Sequence, residues 1–274
     1  MIGREAKNIK IFKDTVKRCI SKPKLKKAVE ESIRKQKFIG ARKEVMIPEP
    51  YARKKATVIV SGKRSLEAAV VYVKEGKKVC VLNFASAINP GGGVVNGASS
   101  QEECICRCST LYPCLNNSWM WDMFYMPHRY KMDPLHNNDC IYTPNVCIFK
   151  SDIDFPKPLW QKYWQYVNIL TCAAPNLNPR SGMSADDISV SELEALLTGR
   201  IRRIFEIAVA EGNEVLILGA FGAGAFMNPP KTVAKVFHNV MQDYLSYFDV
   251  IEYAVYHAEH EISNYEAFVQ EFMS

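Results

Sequence analysis

Two short apolar runs constrain the fold of this chain more than any other feature: Val79-Cys80-Val81-Leu82 and Val215-Leu216-Ile217-Leu218. Four consecutive apolar residues without alternation mark a strand buried on both faces, which needs helices on both sides of its sheet. Each run leads into a glycine-rich turn, and a helical pattern follows each turn. Strand patterns at 57–60, 146–149, 167–172 and 250–255 alternate with helical ones at 66–75, 191–210, after Pro229-Pro230 and at 265–273. This alternation predicts an α/β protein, a three-layer α/β/α sandwich around a largely parallel sheet. Ser65 is expected to cap the first of these helices and Gly76 to end it, while Ser191 and Glu194 have capping-box spacing. Residues 113–144 lack a clean period and are expected to form a long, aromatic-rich loop or lid.

The N-terminal segment differs from the rest in charge. Residues 1–55 hold 18 of the 35 Lys/Arg and 6 of the 29 Asp/Glu, so they carry +12 and the remainder −6. Residues 5–40 read as two amphipathic helices, with Pro23 suited to the first turn of the second. The expected organisation is a basic helical extension over 1–55, packed on a main domain over 56–274. Its charge suits a polyanionic partner or a solvated helical face; a nucleic acid is only weakly suggested. The N-terminal stretch has no apolar signal core, and no apolar run reaches the roughly 20 residues that span a bilayer. The expected location is intracellular and cytoplasmic (nuclear in a eukaryote), with no membrane partner.

Nine cysteines form an odd set in a chain of 274 residues, which argues against a disulfide framework. Cys104, Cys106 and Cys108 fall in C-x-C-x-C spacing inside a helical pattern beginning near Ser99. On a helix the middle residue leaves the face of the other two, so a zinc site is disfavoured and buried thiols are expected. No metal and no organic cofactor is expected.

Ligands of open α/β sheets bind beyond the carboxyl ends of the strands, where the two glycine turns fall. Neither turn has the Lys-Ser/Thr that completes a Walker loop. Gly222-Ala223-Gly224 lacks the third glycine of a dinucleotide fingerprint, with Met227 in its place. Two such loops would suit a diphosphate, since glycine allows close backbone approach and helix N-termini present N–H groups. Seven residues after Gly91-Gly92-Gly93 stand Gln101-Glu102-Glu103. Two adjacent carboxylates beside a bound phosphate would raise the pKa of one and fit it for proton donation, the chemistry of glycoside cleavage.

The triple glycine, the seven-residue gap and Gln101-Glu102-Glu103 together resemble the signature of poly(ADP-ribose) glycohydrolases. The string from Leu82 to Gly93, Gly97-Ala98, Asn145 to Asp152, Ala174-Pro175-Asn176, Arg202-Arg203-Ile204 and Leu218 to Phe226 with Asn228-Pro229 are similar to its microbial branch. The resemblance runs from about residue 10 to the end and implies a macrodomain-like fold. It also implies hydrolysis of ribose–ribose O-glycosidic bonds in poly(ADP-ribose), on the polymer itself or on ADP-ribosylated macromolecules, with release of ADP-ribose. By motif position Glu103 would be the general acid/base and Glu102 would orient the ribose. Gly91, Gly92 and Gly93 would pack on the diphosphate and distal ribose, beside Gln101. Gly222, Ala223, Gly224 and Ala225 would form the second phosphate loop, with Phe226 against the distal ribose. Asn83, Phe84 and Ala85 would line the same end. Ala223 stands where the family commonly has cysteine, and Ser99-Ser100 replaces a variable, often basic stretch. The alternatives are a mono-ADP-ribosyl hydrolase and a non-catalytic ADP-ribose-binding macrodomain.

Overall fold

The computed structural model describes residues 3–50, 55–258 and 261–273, so residues 51–54 of the basic segment lie outside the described residues. The elements in chain order are α1 (Arg4–Ser21), α2 (Pro23–Lys35), β1 (Lys37–Ile39), β2 (Thr57–Ser61), α3 (Ser65–Lys74), β3 (Val79–Phe84) and α4 (Gln101–Cys108). There follow α5 (Leu111–Leu115), α6 (Ser118–Met120), a π-helical turn at Trp121–Tyr125, α7 (Met126–Lys131), β4 (Cys140–Ile148) and β5 (Gln165–Cys172). The chain closes with α8 (Val190–Ala210), β6 (Val215–Leu218), α9 (Pro230–Met241), β7 (Val250–Ala254) and α10 (Ser263–Met273).

The fold is α/β and macrodomain-like, with the described strands in a mixed sheet of order β1-β4-β5-β3-β6-β7-β2 and helices flanking it. The sheet is parallel from β3 through β6 and β7 to β2, whereas β4 is antiparallel to both β1 and β5. It is therefore mixed where the apolar runs predicted a largely parallel one. The short β1 lies in the stretch expected to be helical; three residues are too few to show a period.

The chain divides into two compact units. The first comprises Met1–Ile39, Asn83–Met132 and Asp139–Cys172; the second comprises Gly40–Leu82, Asp133–Asn138 and Ala173–Ser274. In the first, α1 buries Asn8, Phe12, Thr15 and Cys19 at helical spacing, and α2 buries Leu25, Ala28 and Ser32. The two helices pack on each other and on α4, α5 and β4, so their lysines cover the outside of an apolar stripe. In the second unit, β6 and the Val79–Leu82 part of β3 are wholly buried, as a helix-covered strand requires.

Helix boundaries differ from the sequence expectation by one or two residues. Arg64, not Ser65, precedes the first turn of α3, where the Glu67 carboxylate accepts from the Arg64 N–H at 3.2 Å. Ser189, not Ser191, caps α8, in a box closed by Glu192 rather than Glu194. Ser-x-x-Glu occurs in this stretch in more than one register, and only the chain path selects one. The expected loop over 113–144 is instead largely helix and the start of β4. Its Cys114, Leu115, Met120, Phe124 and Tyr125 are fully buried. The π-helical turn inserts an extra residue into the helical phase, and prolines at 113 and 127 interrupt it, which is why no period was visible.

Candidate active site

Strand β3 ends at Asn83-Phe84 and the chain enters the glycine turn, where Gly91 and Gly92 take φ of +68° and +59°. Side chains rarely adopt this region, and at Gly92 space forbids one as well. A Cβ built there would lie 2.5 Å from Glu103 Oε1 and 3.0 Å from Glu102 Oε2. The triple glycine thus lets the backbone press against the two carboxylates at the first turn of α4.

Those carboxylates are held differently. Glu102 Oε1 accepts from Asn83 Nδ2 at 3.1 Å and its Oε2 from the Ser86 N–H at 2.8 Å, and the Gly91 N–H also donates to this carboxylate. Burial pushes its pKa up from 4.5 to about 8; the Glu103 charge adds to the rise, and together they outweigh the three donors. Glu103 accepts only from the Gly93 N–H, at 2.8 Å to Oε1. Its Oε2 is buried and has no hydrogen-bond partner among the described residues. A buried carboxylate oxygen without a donor is costly unless something else visits it.

The neighbours of the pair have structural duties. Asn83 is fully buried, and its Nδ2 also donates to Thr171 Oγ1 at 3.2 Å, which ties the pair to β5. Gln101 Oε1 accepts from the Phe84 N–H at 2.9 Å, and the buried Ala85 donates its N–H to the Cys172 carbonyl at 3.0 Å. The N–H of Gly92 donates to the Asn89 carbonyl at 2.9 Å. The donors of Gly91, Gly92 and Gly93 are therefore engaged by carboxylates and backbone, leaving glycine surface rather than N–H groups for a ligand.

Three partners of this loop escaped the sequence reading. Ser86 lies in the quoted string but carried no role. Arg129 on α7 donates from Nε to the Ile88 carbonyl at 2.7 Å and from a terminal nitrogen to Asn89 Oδ1 at 2.6 Å, its guanidinium 4.7 Å from the centre of the Trp121 ring. It lies in the segment that had no period, so no signal marked it. Tyr112 on α5 would stand 2.9 Å from a Cβ at Gly91, and Phe12 of α1 meets its ring edge-on at 4.7 Å.

Cys106 and Cys108 are buried in α4, and burial raises both thiols well above their ordinary value. Among the described residues no group of three His, Cys, Asp or Glu could hold a metal ion. No described helix is long and apolar enough to cross a membrane.

The second glycine turn belongs to the second unit and has a different construction. Gly222, at φ +75°, is packed so closely that a Cβ would fall 2.5 Å from that of Ala174 and 2.6 Å from Asn228 Nδ2. Asn228 Nδ2 donates to the Pro175 carbonyl at 2.7 Å and to the Gly222 carbonyl at 3.0 Å, tying the turn to the Ala174-Pro175 stretch. Gly224 and Ala225 are exposed, and a Cβ at Gly224 meets nothing within 4 Å. The N–H groups of Gly224, Ala225 and Phe226 take no hydrogen bond among the described residues, while the Ala223 N–H bonds to the Ala220 carbonyl at 3.1 Å. The Phe226 ring stands 6.1 Å from that of His136.

A family model described as the catalytic domain of microbial-type PARG matches residues 8–151. Among solved structures, the poly(ADP-ribose) glycohydrolase of Thermomonospora curvata is similar at a TM-score of 0.86 and 28% identity, over 97% of this chain and 99% of that one. Another structure of that protein holds the inhibitor ADP-HPD and matches at a TM-score of 0.80 and 27% identity, with the same coverage. The Deinococcus radiodurans poly(ADP-ribose) glycohydrolase in complex with ADP-ribose matches at 0.78 and 26% identity, over 89% of this chain and 96% of that one. No curated protein sequence matches. With just over half the chain inside the family model, and both carboxylates and the triple glycine within that half, the chain belongs to the family of microbial-type poly(ADP-ribose) glycohydrolase catalytic domains.

Proposed function

We propose that this enzyme cleaves the ribose–ribose O-glycosidic bond of poly(ADP-ribose) with Glu103 as its general acid/base. The observation that carries the assignment is the buried Glu103 Oε2, a lone acceptor without a partner beside a carboxylate whose every oxygen is engaged. Glu103 then gives its proton to the leaving ribose oxygen as the anomeric C–O bond breaks. The Glu103 carboxylate next takes a proton from water, whose oxygen forms the new bond to the anomeric carbon, and ADP-ribose leaves. Positioned acid–base catalysis of this kind contributes on the order of 10²–10⁴ in rate.

In this reading Glu102 is a positioning residue for the ribose, held by Asn83 and Ser86, and Gly91 to Gly93 are the surface on which the reacting ribose and diphosphate rest. Gly222, Ala223, Gly224 and Ala225 form the second phosphate loop, in which the N–H groups of Gly224, Ala225 and Phe226 are the donors left for a phosphate, with the Phe226 ring against the distal ribose. Phe84, Ala85 and Gln101 line the first loop. The substrates are the polymer and ADP-ribosylated macromolecules inside the cell; nine free thiols support a reducing compartment. The intact acidic pair supports an enzyme over a binding module. Incubation with purified poly(ADP-ribose) and chromatography of the products tests the reading. Free ADP-ribose is the expected product; release from a mono-modified acceptor alone would overturn it in favour of the mono-ADP-ribosyl hydrolase.

A further inference from the structure

Within the first unit, the segment from Ile153 to Tyr163 exposes an unusual amount of aromatic surface beside α1. Trp160 is 79% exposed, Tyr163 53% and Phe155 39%. Isolated exposed apolar residues need no explanation, but a cluster in one segment marks an interaction surface. Two exposed lysines lie against these rings: Lys7 Nζ stands 4.9 Å from the centre of Phe155 and Lys162 Nζ 5.0 Å from that of Tyr163. Asp154, in the same segment, pairs with Arg4 of α1 at 3.4 Å.

The same helix also grips the stretch between the triple glycine and the acidic pair. Asn8, next to Lys7, donates from Nδ2 to the Gly97 carbonyl at 2.9 Å. Gly97, at φ +84°, has no room for a side chain, because a Cβ would lie 2.5 Å from the Glu5 carbonyl oxygen. Gly97 sits in the stretch joining Gly91-Gly92-Gly93 to Gln101-Glu102-Glu103, so Lys7 begins one residue from the helix's grip on that stretch.

We propose that α1 and the 153–163 segment form a landing surface for the poly(ADP-ribose) chain beyond the unit being cut, with adenines on Phe155, Trp160 and Tyr163 and diphosphates on Lys7 and Lys162. The proposal rests on the glycohydrolase reading above. Flat exposed rings interleaved with cations are the chemistry of single-stranded, base-bearing polyanions: a ring takes a base face and the adjacent ammonium takes its phosphate. The lysines of α2, by contrast, include Lys26 and Lys27, which face Glu30 and Glu31 at 4.0 and 3.8 Å one turn away. They make the weaker claim on a polymer.

The experiment uses Glu103→Gln as a non-hydrolysing background and adds Lys7→Ala, Trp160→Ala and Lys162→Ala together. Gel shift with long poly(ADP-ribose) should show affinity lower by at least about fivefold, the scale of one lost base–aromatic contact. The loss should shrink as salt rises, while ADP-ribose affinity and melting temperature stay unchanged. Equal polymer affinity in the two proteins would overturn the proposal. So would polyadenylate RNA binding wild type as tightly as the polymer, which would make the surface a general nucleic-acid platform. A wild-type dimer in sedimentation that the triple variant abolishes would assign the surface to a second copy of the chain and equally overturn it. If native protein releases no ADP-ribose from polymer, the glycohydrolase reading fails on its own, and the gel shift still decides the surface.

Discussion

The two glycine turns look alike in sequence and are built for opposite purposes. In the first, Gly91 to Gly93 spend their N–H groups on Glu102, the Asn89 carbonyl and Glu103, and the missing Cβ of Gly92 makes room for the two carboxylates. In the second, Gly222 is the structural glycine and Gly224 faces open space among N–H groups that make no hydrogen bond with the described residues. A glycine-rich loop is therefore not one device. One turn uses glycine to bring the chain's own acids to the backbone, and the other leaves backbone donors without a partner among the described residues.

Glu103→Gln breaks the comparison most severely. The amide keeps the shape and loses the proton, so kcat on polymer should fall by about 10²–10⁴, while calorimetric titration finds ADP-ribose affinity within about tenfold. Substantial residual activity in the purified variant would remove Glu103 from its role. Gly92→Ala comes next. It forces a side chain into left-handed backbone and onto Glu103, at a cost of about 1–3 kcal/mol, and should lower both melting temperature and kcat. A fully active, equally stable variant would show that the carboxylates do not need the close approach.

Two substitutions in the second turn should separate its parts. Gly224→Val is expected to weaken ADP-ribose binding about tenfold or more with an unchanged melting temperature, since its side chain enters only open space. Gly222→Ala should instead lower the melting temperature, by displacing the turn from Ala174 and Asn228. Of these two glycines, Gly222 has the positive φ, at +75°. If both variants behave alike in binding and melting, the turn has no division of labour.

The last comparison concerns pH. Glu102 has a raised pKa, about 8 in the fold against 4.5, so the folded state binds its proton more tightly than the unfolded chain does. Its contribution to stability is fully present below about pH 4.5 and is lost as pH rises through about 8. Melting temperature should therefore decline over that window, and Glu102→Gln should flatten the decline. An identical pH profile in the two proteins would show that the carboxyl is ionised where it stands.

Legibility in the sequence followed the range of the interactions. The apolar runs of β3 and β6 and the spacing from the triple glycine to the acidic pair were readable because each depends on neighbours within about twenty residues. Helix starts were blurred by competing caps, as at Ser189 and Ser191. The buried helices between Cys114 and Lys131 were missed because a π-helical turn and two prolines break the period on which such reading depends. Arg129 was missed with them: its bonds to Ile88 and Asn89 join residues some forty positions apart.

The sequence by itself therefore determined the α/β class, the two glycine turns, the family and the spacing of the acidic pair from the first turn, since all of these are written in local pattern and fixed spacing. Only the tertiary structure decided which glycine serves a carboxylate and which faces open space, and which of the two acids is fully tied down. Those distinctions are made by atoms brought into hydrogen-bond reach by β3, α4 and the turn between them: donors from Asn83, Ser86 and Gly91 hold Glu102, while Gly93 alone reaches Glu103 and its second oxygen has no partner among the described residues. Burial and hydrogen-bond saturation are properties of that assembled neighbourhood, and no run of residues carries them on its own.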